Sequence, residues 1–411
     1  MDRRSGIFRT LGLLAVVLPL TAANLVTQQG ALPHRGGQEQ TGHYQAVHNW
    51  PQPLPDNEGK WTWGATQGIF AQNPNRIFIL QRGELPLLKR PAMAPVPQFG
   101  PSLAFPVNQM PFRNASQSPV ASPPSDYANK GLTKDGVDYR WRNVLFVVDS
   151  DGKLVEAWNQ WDSLFRKPHS VYVSPYDPDK HVWVVDDTRH QIFKFTNDGK
   201  KLVLTLGAKD VPGNDETHFD GPTFLTWLPD GTMFLADGYQ NTRVVKMDKN
   251  GKFLMSWGRK GEPGGNEKRP GYFNTVHGIG VDAKRRVYVN DRANRRIQVF
   301  DENGTYLDEW STGDPPSQIY VIHMAPDGIW GADAATWKMI KWNFKGEYQY
   351  SWGYQGDAPG GFFAVHGISV DQAGNLYVAE VSGGRAQKFV PRKGADPAKL
   401  LGRPVYAAWR E

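Results

Sequence analysis

Cysteine is absent from the 411 residues. Its absence removes disulfides, thiolate metal sites and cysteine nucleophiles, so any metal must be held by histidine, aspartate or glutamate. Long apolar runs are also missing. The longest, Leu11 to Ala23, has 13 apolar or small residues, short of the roughly 20 that a helix needs to cross a bilayer, so no stable membrane span is expected. Basic residues do not cluster. The formal net charge is +6, but the 47 Lys and Arg are scattered among 41 Asp and Glu, without the stripe that marks a nucleic-acid footprint.

Turn chemistry is what the chain has in quantity. Gly (43), Pro (31), 12% aromatics and a mean hydropathy of −0.54 suit a turn-rich water-soluble protein. Arg3, Arg4 and Arg9 precede the Leu11 to Ala23 run, the pattern of a signal peptide over residues 1–23. Secretion or periplasmic export is therefore expected, with cleavage near Ala23. The Arg3-Arg4 pair alone is a weak match to twin-arginine export. Losing residues 1–23 removes three Arg and one Asp and leaves a charge of +4.

Self-similarity decides the architecture. The stretch "TFLTWLPDGTMFLADGYQNTRVVKMDKNGKFLMSWG", Thr223 to Gly258, holds four β-favouring runs separated by "PDG", "DGYQN" and "DKNG". Each separator is turn chemistry, so the unit reads as a four-stranded antiparallel meander. The same grammar starts at His169, His277, Tyr320 and His366. A sixth copy starts at Thr66 and resumes at Asn143, interrupted by a Pro/Ser/Asn-rich insertion over about residues 89–142 that shows no strand grammar. Six four-stranded blades that bury their faces on one another predict an all-β, six-bladed β-propeller over residues 56–411. Residues 24–55 read as a flexible lead-in. "KWTWG" and "PVYAAWRE" are the candidates for the strand that closes the ring.

The phrases "DDTRHQIFKF", "DGYQNTRVVKM" and "DRANRRIQVF" resemble the signature of NHL-repeat propellers, over about residues 60–395. Numbered from the first residue of each unit's first strand, the six positions are Thr66, His169, Thr223, His277, Tyr320 and His366, with intervals of 54 from His169 to Thr223 and again to His277. Histidine thus takes alternate blades. First strands line the channel of a propeller, so three imidazoles would converge on its axis, as in catalytic zinc sites with an open fourth position. The plainer reading, a histidine that merely caps a strand at a blade edge, would suit one such residue better than three in alternation.

In an antiparallel meander, the loop between the second and third strands opens at the same end as these histidines. Two of those loops bring Tyr239, two residues past Asp237, and Arg292, next to Asp291. A tyrosine beside a dication and an arginine is expected to have a lowered pKa and to move a proton; the arginine is suited to forking a carboxylate. Arg243 and Arg296 read as structural ties. Asp186, Asp237 and Asp291 read as turn acceptors.

Together, "KPHSVYV", "DGYQNTRVV", "TVHGIGV", "NDRANRRIQVF" and "AVHGISV" resemble the peptidyl-α-hydroxyglycine α-amidating lyases, propellers of the NHL group. The resemblance implies a zinc ion on His169, His277 and His366, with Tyr239 and Arg292 as catalytic residues. It further implies cleavage of the N–Cα bond in a small peptide or N-acyl-α-hydroxyglycine substrate, giving an amide and glyoxylate with no redox cofactor. Ala364 stands where the animal enzymes carry a methionine against the substrate, and Gln240 and Val289 stand where they carry disulfide cysteines. Gly367 replaces an aspartate on their structural calcium, which leaves calcium doubtful here. A further family arginine from blade one has Arg82 as a weak counterpart. The alternatives are an exported, non-enzymatic NHL propeller that binds a protein or glycan, and a calcium-dependent lactonase-like propeller, which would need Glu, Asn and Asp around the axis.

Overall fold

The computed structural model describes residues 40–55, 59–87, 136–137, 139–265, 267–356 and 358–402, with the backbone of Met93–Pro95 and Ala104–Pro106. The expected signal peptide and "PVYAAWRE" lie outside these residues. Among those described, no helix is long and apolar enough to cross a membrane.

The β-favouring runs form the strands their turns predict. In blade three, Pro222–Trp227, Met233–Asp237, Arg243–Met247 and Phe253–Trp257 pair in sequence order. Their burial differs by position. The second and third strands are buried along their whole length, whereas the fourth alternates between exposed and half-buried residues. A strand sandwiched between neighbouring blades must be apolar on both faces, and an outer strand on only one.

The other blades begin with Thr66–Asn73, Pro168–Val173, Val276–Val281, Ile319–Ala325 and Val365–Val370. Each first strand packs against the first strands of both neighbouring blades, and blade six packs against blade one. The six-bladed propeller is therefore closed.

Closure uses a strand from neither the first blade's flank nor the repeats themselves: among the described residues it comes from the stretch ahead of blade one. Blade six receives its outer strand from Tyr44–Ala46, which pairs antiparallel with Arg385–Pro391. Tyr44 is fully buried, and its hydroxyl accepts the Leu401 N–H at 2.9 Å. These three residues fall inside the stretch expected to be a flexible lead-in. Trp61–Trp63 of "KWTWG" pairs instead with Glu84–Pro86 beside blade one. Within the expected strand-free insertion, Met93–Pro95 and Ala104–Pro106 form a short antiparallel pair.

Candidate metal centre and active site

At the head of every first strand, the first residue pairs with the last residue of the second strand, and the ladder is then irregular. The pairs are Thr66 with Gln81, Pro168 with Asp186, Pro222 with Asp237, Val276 with Asp291, Ile319 with Asp333 and Val365 with Glu380. Such bulges re-aim a side chain. The residue at the irregularity is Gln67, His169, Thr223, His277, Tyr320 or His366. Blade one therefore contributes Gln67 to the ring, not Thr66 as expected, and "QGI" answers the "HGI" of blades four and six.

The three histidines converge. Their ring centroids are 4.6 to 5.2 Å apart, and one ligand atom from each lies within 4.8 Å of the others. All three are buried. Their outward nitrogens are held alike by the alternate ring members. His169 Nδ1 donates to the Thr223 carbonyl at 3.0 Å, His366 Nδ1 to that of Gln67 at 2.9 Å, and His277 Nδ1 to that of Tyr320. An Nδ1–H bonded to a carbonyl fixes the tautomer and leaves the Nε2 lone pair free to ligate. Burial, followed by the neighbouring positive charges, holds His169 and His277 well below the usual imidazole range, and burial holds His366 at about 3. Neutral imidazole is the ligating form.

Tyr239 Oη lies 3.0 Å from His169 Nε2 and 3.0 Å from His277 Nε2. A phenol has one proton and here faces two unprotonated nitrogens, an arrangement that a cation among them would relieve. The donor set, three neutral imidazoles with a hydroxyl at the remaining side, fits a divalent metal with an open position. Among the described residues the one other such cluster is Asp177, Asp179 and His181, whose mutual bonds are those of the turn they form.

Two glycines put Tyr239 there. A Cβ on Gly238 would stand 1.5 Å from the Val276 carbonyl oxygen, so only glycine lets this loop lie on blade four. Gly221, at φ +73°, would carry a Cβ 2.6 Å from that of Tyr239, and its carbonyl accepts the Tyr239 N–H at 3.0 Å. Burial raises the Tyr239 hydroxyl above its usual range, and the Arg292 charge opposes this less strongly. The lowering expected from sequence required a dication as well.

Arg292 opens a short 3-10 turn to Asn294 and donates its backbone N–H to the Thr275 carbonyl at 3.0 Å. Its guanidinium lies 5.5 Å from the Tyr239 ring centroid and 4.9 Å from that of Tyr320. Among the described residues no carboxylate pairs with it.

Arg82 follows Gln81 as Arg292 follows Asp291, and so holds the same loop position in blade one. It is buried, with Nε donating to the Pro168 carbonyl at 3.3 Å and a terminal nitrogen 3.5 Å from Asp187 Oδ2. Its charge lowers both His169 and His366. Aligning "QGI" with "HGI" would have exposed this match. Phe224 carried no sequence signal, yet its ring lies 5.0, 5.1 and 5.5 Å from the rings of His169, His277 and His366 and floors the site.

The residues expected to be structural are so. Arg243 binds Asp237 at 2.9 Å and Arg296 binds Asp291 at 2.9 Å. Asp186 accepts the backbone N–H groups of Arg166, Lys167 and Arg189, Asp237 that of Asp220, and Asp291 that of Asn274.

No known family profile matches the chain. It is 30% identical over 268 residues to peptidyl-glycine alpha-amidating monooxygenase A of Xenopus laevis, covering 61% of this chain and 27% of that protein. Against peptidyl-alpha-hydroxyglycine alpha-amidating lyase 1 of Drosophila melanogaster, identity is 28% over 282 residues, or 64% of this chain and 51% of the relative. NHL repeat-containing protein 3 of Mus musculus is 33% identical over 196 residues, 45% of this chain and 53% of the relative. The chain thus spans about a quarter of the length of the frog protein and about half of the other two. Its homologues are amidating lyases and NHL repeat-containing proteins, as the NHL-type motifs and the six blades had indicated.

Proposed function

We propose that the protein is a zinc-dependent lyase of the peptidyl-α-hydroxyglycine α-amidating type, acting on a peptide or N-acyl-α-hydroxyglycine. The observation that carries this reading is the Tyr239 hydroxyl at 3.0 Å from two of three converging, neutral imidazoles, with an arginine beside it that pairs with no carboxylate among the described residues. Homology to lyases that bear this activity in their names supports it. Zinc on His169, His277 and His366 would supply a Lewis acid that acidifies a carbinol hydroxyl.

The side chains then have distinct tasks. Arg292 forks the substrate carboxylate and so fixes the carbinol carbon relative to the histidines. Tyr239 Oη, as the phenolate that a dication on the histidines would favour, takes the carbinol proton as the C–O bond becomes a carbonyl. The N–Cα bond breaks with its electron pair on nitrogen, and one proton returns to that nitrogen. The products are an amide and glyoxylate, with no net change in protons or electrons. Arg82, paired with Asp187, adds positive charge beside the developing negative one. Phe224 excludes water from below.

A propeller that only binds a partner has no use for three buried imidazoles with their lone pairs turned together. Export of the mature chain, from the N-terminal segment, is part of the same proposal. Release of glyoxylate from an α-hydroxyglycyl peptide tests the reading; a protein that binds zinc and releases none does not have this function.

A further inference from the structure

Below the Phe224 ring the propeller axis is not filled. A cavity of about 810 Å³ runs from Phe224 to the opposite face, lined by first strands of all six blades. Well-packed interiors leave few voids larger than a water molecule, whereas small-molecule pockets span roughly 300–1,000 Å³. The wall is chiefly hydrocarbon. Phe70, Tyr172, Thr226, Val281, Met324 and Ile368, one from each blade and each partly exposed, line it. An apolar wall offers water few partners, so ordered water is a poor filling for it.

The mouth is charged, and not evenly. Of the ionisable groups that line the cavity, Asp282 is bound by Arg286 and by the Tyr288 hydroxyl. Arg285 is bound by Glu302 and Asp230. His323, on the blade-five wall, is held at about 4 by burial and is neutral. What remains is Lys284 and Lys345, both exposed and without a carboxylate partner among the described residues. The one carboxylate that lines the mouth among the described residues is thus paired. A hydrocarbon-walled cavity with two free ammonium groups at its rim is complementary to a chain with one anionic end.

We propose that this axial cavity is a second binding site, separate from the histidine site, that takes a free long-chain carboxylate with its chain along the axis and its carboxylate at Lys284 and Lys345. Phe224 belongs to both sites as a partition, so the ligand does not reach the histidines.

Titration of the full mature protein with the fluorescent C18 probe cis-parinaric acid tests this directly. Saturable fluorescence enhancement is expected, reversed by palmitate and reversed less well by hexadecanol, which has the chain without the charge. The Lys284→Glu/Lys345→Glu variant changes only exposed side chains and should weaken binding about tenfold or more, since it turns attraction at the rim into repulsion. Ile368→Trp should abolish binding by filling the cavity. No saturable binding to the wild type, or equal binding to wild type and the lysine variant, overturns the proposal even if the tryptophan variant fails to fold. Hexadecanol displacing the probe as well as palmitate does would overturn the anionic part of it.

Discussion

The guanidinium of Arg292 lies over the ring of Tyr320, 4.9 Å from its centroid. These residues come from different blades and different kinds of element, a loop of blade four and the first strand of blade five. With Tyr239 on its other flank and no carboxylate partner among the described residues, the cation is held by aromatic faces, worth about 1 kcal/mol each. Its N–H groups are not committed to an ion pair.

Arg292→Ala should therefore act on binding of the substrate carboxylate. Charged hydrogen bonds contribute about 1.5–3 kcal/mol, or roughly 10- to 100-fold, so KM for α-hydroxyhippurate should rise by that factor with a smaller change in kcat. An analogue with a carboxamide in place of the carboxylate should show little difference between wild type and variant. Equal penalties on both substrates would remove Arg292 from carboxylate binding.

Tyr239→Phe keeps the ring against Arg292 and deletes the hydroxyl between the histidines. Metal content should stay at the wild-type level, while kcat should fall by about 10²–10⁴-fold, the usual contribution of an acid–base group. Wild-type turnover in this variant would show that the proton moves elsewhere.

Gly238→Ala tests positioning without touching a reacting group. The new Cβ would meet the Val276 carbonyl oxygen at 1.5 Å, so the loop must shift and carry Tyr239 with it. A misplacement near 1 Å costs on the order of 10²-fold in rate, and kcat should drop accordingly, with the histidine metal retained. Unchanged kcat would mean that the loop is not held as described.

Asp162 lies away from the site, buried under blade one, and accepts the Val144 N–H at 3.0 Å. Burial raises its carboxyl to about 7. The folded state then binds more protons than the unfolded one between about pH 4 and 7, so this group's contribution to stability is lost as pH rises through that window. Asp162→Asn still accepts the Val144 N–H through its amide oxygen but does not titrate. Across that range the wild type should lose a few degrees more in Tm than the variant; parallel curves would contradict the assignment.

Much of this molecule was legible before the structure, and the failures share a cause. Strand grammar, blade number and the three histidines follow from residues whose signal repeats, because turn chemistry and inward-facing positions recur in every copy. Elements present once were not legible. Tyr44–Ala46 is three residues long and looks like lead-in until it meets Arg385–Pro391 across the whole chain. Phe224 is an ordinary strand residue until its ring is seen beneath the histidines. Thr66 stood in for Gln67 because threonine also heads blade three, at Thr223, while the Gly-Ile that follows Gln67 carries the true register. That one-residue slip also left Arg82 only a weak counterpart, although it shares its loop position with Arg292.

The most direct measurement is product and metal together. The purified protein, loaded with about one equivalent of zinc per chain, is incubated with α-hydroxyhippurate, and glyoxylate, benzamide and bound metal are quantified alongside His277→Ala. The expected result is equal amounts of glyoxylate and benzamide from the wild type, abolished by chelation and restored by zinc, with both metal and activity lost in His277→Ala. Zinc-loaded wild type that releases no glyoxylate, or a His277→Ala variant that keeps its metal and its turnover, is the contradicting result.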